Sequence, residues 1–189
     1  MNQKALAAAL LAATLLLAGC ATDTAQQAHS EDHSDHMVSE NAEFSAVDVM
    51  FAQMMIPHHQ QAIDLGAIAE NGEASSEVLA LAKKIAKDQT HEIEHMQAWL
   101  EAAGASEHMD HDMAMDGMLT QAQLDELKAA KGAEFDRLFL QGMIAHHEGA
   151  IAMAQDVVDS KNPDVAELAA SIIKTQTEEI EYMKELLTK

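Results

Sequence analysis

A thirteen-residue pattern occurs twice in this chain. Phe51-Ala-Gln-Met-Met-Ile-Pro-His-His-Gln-Gln-Ala-Ile63 is matched by Phe139-Leu-Gln-Gly-Met-Ile-Ala-His-His-Glu-Gly-Ala-Ile151, 88 residues later. A second stretch, Gln89-Thr-His-Glu-Ile-Glu-His-Met96, recurs as Gln176-Thr-Glu-Glu-Ile-Glu-Tyr-Met183 at an offset of 87. Two stretches that return in the same order at nearly the same spacing are one supersecondary unit present twice. A helix hairpin repeated across a linker closes into a four-helix bundle with approximate two-fold symmetry. Only 3% of residues are aromatic and two are Pro, which favours helix over strand. The expected fold is all-α over 45–188, with hairpin one at 45–103, a linker at 104–118 and hairpin two at 119–188.

Helix punctuation fits that division. Ser45-x-x-Asp48 and Ser75/Ser76 are caps for the first two helices, and Asn71-Gly72 ends the first. Leu119-Thr120-x-x-Gln123-Leu124 provides a capping box and a hydrophobic staple for the third. Gly132 is a break before the repeated part, and Asn162-Pro163 opens the fourth helix. Pro57 alone violates helix rules, and it should kink the first helix or free a carbonyl one turn back.

The chemistry-bearing residues follow helical spacing. Phe51, Met55, His58, Ala62, Leu65 and Ala69 form one stripe, and Phe139, Met143, His146, Ala150, Met153 and Val157 form its counterpart. His58 and His146 therefore face the bundle interior, while His59 and His147 lie about 100° further round. Ile85, Gln89, Glu92 and Met96 on one partner helix, and Ile172, Gln176, Glu179 and Met183 on the other, complete the pattern. Each hairpin can bring two His and two Met together, with Met54 alongside. A single Met at such a position is core filling and a single buried His is a hydrogen-bonded structural residue. The doubled constellation is different, because each imidazole carries polar nitrogens that need partners. A soft metal satisfies them, and thioether with imidazole but no thiolate points to copper(I) rather than zinc.

Two further tracts add donors outside any core. The linker Glu107-His-Met-Asp-His-Asp-Met-Ala-Met-Asp-Gly-Met118 holds His108, Met109, His111, Met113, Met115 and Met118 among acidic residues, and residues 20–44 form a polar tether with His29, His33, His36 and Met37. The tether's composition is equally that of a solvated acidic spacer. These tracts should bind more weakly than the helices, since each ion held there must also order backbone at about 1–2 kcal/mol per residue.

At the N-terminus Lys4 precedes an apolar run from Ala5 to Leu17, and Leu17-Ala18-Gly19-Cys20 resembles the lipobox of bacterial lipoproteins. The run is too short to span a bilayer stably. The expectation is a signal peptide over 1–19 and lipid on Cys20, which leaves a membrane-anchored extracytoplasmic protein with no free thiol. Ala21 after the cysteine favours the outer membrane where two membranes exist. Eleven Lys plus Arg against 32 Asp plus Glu, a formal −21, exclude a nucleic-acid surface.

His91-Glu92-Ile93-Glu94-His95 is a literal His-Glu-x-x-His, the ligand pair and glutamate base of zinc peptidases. The second repeat carries Glu178-Glu-Ile-Glu-Tyr182 instead, and a peptidase also needs a third ligand, a cleft and usually an edge strand to align the peptide, of which no strand is evident. A di-iron carboxylate centre needs Glu-x-x-His twice, and Glu92-x-x-His95 supplies it once. A zinc hydrolase and a metal-free interaction module remain the alternatives.

With its two Met-Ile-x-His-His segments, Gly132-x-x-Phe135-Asp136 and the two Gln-Thr-x-Glu-Ile-Glu stretches, the chain resembles the ferritin-like, CopM-type family of periplasmic copper-binding proteins over about residues 44–188. The resemblance implies a ferritin-like four-helix bundle and binding of copper, or silver, for handling or resistance outside the cytoplasm, with a copper exporter or chaperone as partner. It carries over to Met55, His58, His59, Met143, His146 and His147, and less securely to Met96 and Met183. His91 and His95 have no counterpart in the second repeat.

Overall fold

Side-chain caps set where the helices begin. In the computed structural model, which describes residues 43–108 and 115–189, the Ser45 hydroxyl accepts from the Asp48 amide while the Asp48 carboxylate accepts from the Ser45 amide, and α1 (Ala46–Asn71) starts there. Ser75 caps α2 (Ser76–Ala103), and Gly104 closes it in the left-handed conformation at φ 66°. The Thr120/Gln123 box opens α3 (Gln121–Ala129). Asn162 caps α5 (Pro163–Leu186), with Pro163 in the first turn, where a missing N–H costs nothing. α1 continues through Pro57, whose ring is exposed.

The break expected before the repeated part is present: α3 stops at Ala129, Ala130 and Lys131 are extended, and α4 (Gly132–Gln155) begins at a Gly with φ 55°. Gly132 is thus the first residue of α4. The bundle consists of α1, α2, α4 and α5, with α3 packed beside α4.

α1 packs on α2, α4 on α5, and α1 on α4 between the hairpins. The apolar core falls into two clusters. One joins the second half of α1 and the first half of α2 to the first half of α4 and the end of α5, through residues such as Leu65, Ile85, Phe135, Phe139 and Met183. The other joins the opposite halves through Phe51, Met55, Met96, Ala150, Val165 and Ile172. Grouping the start of α1 with the end of α4 makes these helices antiparallel. Between the clusters lies a polar slab of buried His58, His59, Gln89, His146, His147, Gln176 and Glu179.

One of the differences between the two copies has a visible reason. Gln61 of α1 corresponds to Gly149 of α4. The Gln61 amide grips the Leu119 backbone twice, donating to its carbonyl at 3.0 Å and accepting from its amide at 2.7 Å. Opposite, a Cβ on Gly149 would lie 2.0 Å from the Asp116 carbonyl oxygen, and one on Gly117 (φ 84°) would lie 2.3 Å from the Ala145 carbonyl oxygen. The Asp116–Leu119 strap thus lies backbone against backbone on α4, and only glycines permit the approach. Gly149→Ala should lift the strap and cost about 1–3 kcal/mol, the usual range for overpacking. Gly142→Ala, whose Cβ would meet the movable Leu119 side chain at 3.0 Å, should cost less. Urea unfolding of both variants checks the ranking, and equal midpoints would contradict it.

Candidate metal centre

The four histidines of the repeated segments sit at mid-bundle with no exposed surface: His58, His59, His146 and His147 are each 0% accessible, as are Met55, Met96, Met143 and Met183. α1 and α4 supply one His pair each, and their crossing brings the His58 and His146 rings to 3.8 Å between centroids, tilted by 35°. His59 and His147 flank this pair, with centroids 6.4 and 6.3 Å from His58 and His146 respectively. Met55 and Met143 precede their His pairs by three and four residues, about one helical turn.

Every imidazole is oriented through Nε2. His59 donates to Glu92 Oε2 at 2.7 Å and His147 to Glu179 Oε2 at 2.8 Å. His146 donates to the His58 carbonyl at 2.9 Å, and His58 donates to the Asp116 carbonyl of the strap at 3.3 Å. Carbonyls and carboxylates only accept, so Nε2 carries a proton in each ring and Nδ1 is the nitrogen left without a partner. All four Nδ1 atoms are buried without a hydrogen-bond partner, as are both side-chain polar atoms of Gln89 and Gln176. An unpartnered buried polar atom costs about 1–3 kcal/mol. Four such nitrogens weigh heavily against a net domain stability of about 5–15 kcal/mol.

Electrostatics keep the central rings neutral. Burial, reinforced by the neighbouring His59, lowers the His58 pKa to about 4 against the opposing pull of the Asp116 carbonyl. Burial and then His58 lower His146 to about 2. Burial would raise the Glu179 pKa, but hydrogen bonds from His147 and Lys84 outweigh it and hold the group below the usual carboxylate value. Lys84 Nζ reaches Glu179 Oε1 at 2.7 Å and so ties α2 of one hairpin to α5 of the other. A neutral imidazole with a carboxylate or carbonyl on its far nitrogen is the protonation state and orientation that a metal-ligating histidine has.

The predicted stripes map closely onto burial. All six positions of the α1 stripe are buried, and on α4 only Met153 departs, being half-buried while Ala154 takes the interior place. Met54 is half-buried. His59 and His147, expected to flank the seam, are fully inside because their carboxylate partners come from α2 and α5. Glu92 is thereby committed to His59, while His91 and His95 are exposed. The three elements of the His-Glu-x-x-His stretch are thus split, with the partly buried Glu92 on His59 and both histidines facing outward. Among the described residues, no three His, Cys, Asp or Glu side chains converge as a ready-made metal-holding group.

Of the linker donors, His108 is exposed and Met115 and Met118 are half-buried. Met109, His111, Met113, the tether residues His29, His33, His36 and Met37, and Cys20 lie outside the described residues. Sequence reasoning missed the strap on His58 and the imidazole-binding role of Glu92 and Glu179. The recurrence of Glu92 as Glu179 and the replacement of Gln61 by Gly149 in the repeat were the available signals.

Comparison with known proteins agrees with this architecture. A DUF305 protein of Streptomyces coelicolor is 30% identical with a TM-score of 0.72, the match covering 75% of this chain and 92% of that one. A DUF305 fragment from Deinococcus radiodurans is 32% identical with a TM-score of 0.70, covering 76% and 97%. CopM in its Cu(I)-bound form is 34% identical with a TM-score of 0.63, covering 75% and 95%, and CopM is also known in Cu(II)-bound and Ag-bound forms. Among curated proteins, none matches the chain. The model of the family described as Domain of unknown function (DUF305) matches residues 48–187, most of the chain, and the protein belongs to that family.

Proposed function

We propose that the protein is an extracytoplasmic copper-binding lipoprotein that sequesters copper(I) or hands it on, with no catalysis of its own. The observation that carries this reading is the set of four buried, unpartnered Nδ1 atoms in a slab bracketed by four buried methionines. Imidazole and thioether together suit copper(I), and silver as its soft analogue, better than they suit zinc. Met55, His58, His59 and Met96 form one candidate donor set, and Met143, His146, His147 and Met183 the other. CopM, about a third identical, takes Cu(I), Cu(II) and Ag, which supports the same class of cargo here. The linker donors His108, Met109, His111, Met113, Met115 and Met118 and the tether residues His33 and His36 are secondary sites of lower affinity. An exporter or a copper chaperone is the proposed recipient.

Metal analysis of protein purified from copper-fed and zinc-fed cells tests the reading. Copper(I) should survive competition with a copper(I) chelator, whereas one equivalent of tightly held zinc with no retained copper would overturn it. Among the described residues no helix is long and apolar enough to cross a membrane. We assign anchorage to lipid on Cys20 after removal of residues 1–19, with 20–44 as tether. Cys20→Ser should then move the protein from the membrane to the soluble extracytoplasmic fraction, and unchanged fractionation would refute the anchor.

A further inference from the structure

Two histidines singled out in the sequence take no part in the buried slab. His91 and His95 lie one turn apart on α2, both exposed, with 59% of the His91 side chain accessible. We infer that they form a bidentate surface site for a divalent copper ion, distinct from the buried layer in location, ligand type and oxidation state. Side chains four residues apart on a helix are neighbours on one face, about 5–6 Å apart at Cβ, close enough for two imidazoles to reach one ion. His-x-x-x-His on a helix is the ligand pair by which metal-binding helices do this.

One ring is already oriented. His91 Nδ1 lies 3.2 Å from Glu94 Oε2, and the carboxylate accepts the Nδ1 proton, leaving Nε2 as the lone-pair nitrogen. Glu92, the intervening acid, is turned inward onto His59 at 2.7 Å and does not compete for the ion. The equivalent positions of the second repeat are Glu178 and Tyr182, so the site exists once, on hairpin one.

The donor set selects the cation. Two imidazoles without thioether or thiolate disfavour copper(I). Among the described residues no third His, Cys, Asp or Glu completes a group, which leaves the remaining positions to solvent when an ion binds. Among divalent first-row ions such a site follows the general affinity order, which peaks at Cu(II) above Ni(II) and Zn(II). The formal charge of −21 raises the local concentration of cations around it. This surface pair shares no ligand with the buried layer, so its binding is independent of copper(I) there.

Other histidines, in the tether and linker, will also take up Cu(II), so the test must be local. Cu(II) broadens nearby backbone amide signals, and titrating the purified full chain with Cu(II) should broaden amides centred on residues 88–98 of α2. His91→Ala and His95→Ala should each weaken binding at that place by about 100-fold, the gain expected when two linked ligands act together. The double variant should lose little more than either single one. Glu94→Gln should weaken it by about tenfold at most, the lower end for an outer partner of a ligating histidine. Both histidines are exposed, so an unchanged helical circular-dichroism spectrum confirms that the variants fold. Broadening confined to the tether and linker would overturn the site, as would single variants that keep the wild-type response. Zinc displacing Cu(II) from α2 at equal concentration would overturn the choice of cation.

Discussion

Replacing His58, His59, His146 and His147 together by Ala is expected to erase the rise in melting temperature that copper(I) induces. A ligand that binds only the folded state stabilises it by RT ln(1 + [L]/Kd), about 4 kcal/mol when free copper(I) is a thousandfold above Kd. For a domain of this size each kcal/mol moves Tm by about 2–4 °C, so the wild-type rise should be on the order of 10 °C. Removing four buried side chains also lowers the metal-free Tm, and the diagnostic quantity is the difference between melts with and without copper(I). Replacing Met109, Met113, Met115 and Met118 should preserve that difference and lower only the number of weakly held ions. Should the fourfold variant fail to fold, His58→Gln with His146→Gln retains polar bulk and should still shrink the rise sharply. A linker variant that loses the whole rise would make the buried histidines core residues and place the copper site in the loop.

Acid should weaken the metal-free fold well before carboxylates titrate. In the unfolded chain His58 and His146 protonate near 6.5, whereas in the bundle burial lowers them to about 4 and about 2. Between those values the unfolded state binds more protons, so stability is complete above pH 6.5 and falls as pH drops toward 4 for His58 and toward 2 for His146. At about 1.4 kcal/mol per pH unit, His58 alone removes about 3 kcal/mol by pH 4. Glu179, with its lowered pKa, adds a loss in the same direction only below about pH 4.5. Urea midpoints measured from pH 7.5 to 4.5 should slope downward from about pH 6.5, and His58→Gln with His146→Gln should flatten the slope. A wild-type profile that stays level down to pH 4.5 would refute neutral burial of these rings.

The helices were legible because their determinants are local. Ser45 with Asp48, Thr120 with Gln123, and Asn162 with Pro163 act within one turn, and each cap formed where the sequence placed it. The inward faces were legible because helical period projects directly onto burial, as the α1 stripe from Phe51 to Ala69 shows. The division of α3 from α4 was legible at Gly132, although the extended Ala130 and Lys131 carry no strong stop signal of their own. The strap on α4 and the Lys84 bridge to Glu179 depend on which helices become neighbours, and periodicity carries no information about that. The same distinction separates the two metal readings of α2, since His91, Glu92 and His95 look like one motif in sequence and point to two environments in space.

The slab of imidazoles has no atom in contact with bulk water, and this matters for time as much as for affinity. An ion in its midst cannot leave by simple dissociation into solvent. It must wait until α1 and α4 part or the strap lifts from Gly149, so entry and exit share one clock, set by the free energy of local opening. Such a vessel fills slowly and empties slowly, even where the bonds within it are weak. A chelator added to loaded protein should therefore strip surface ions during mixing and interior ions over a far longer delay. Gly149→Ala should shorten that delay without altering a single ligand.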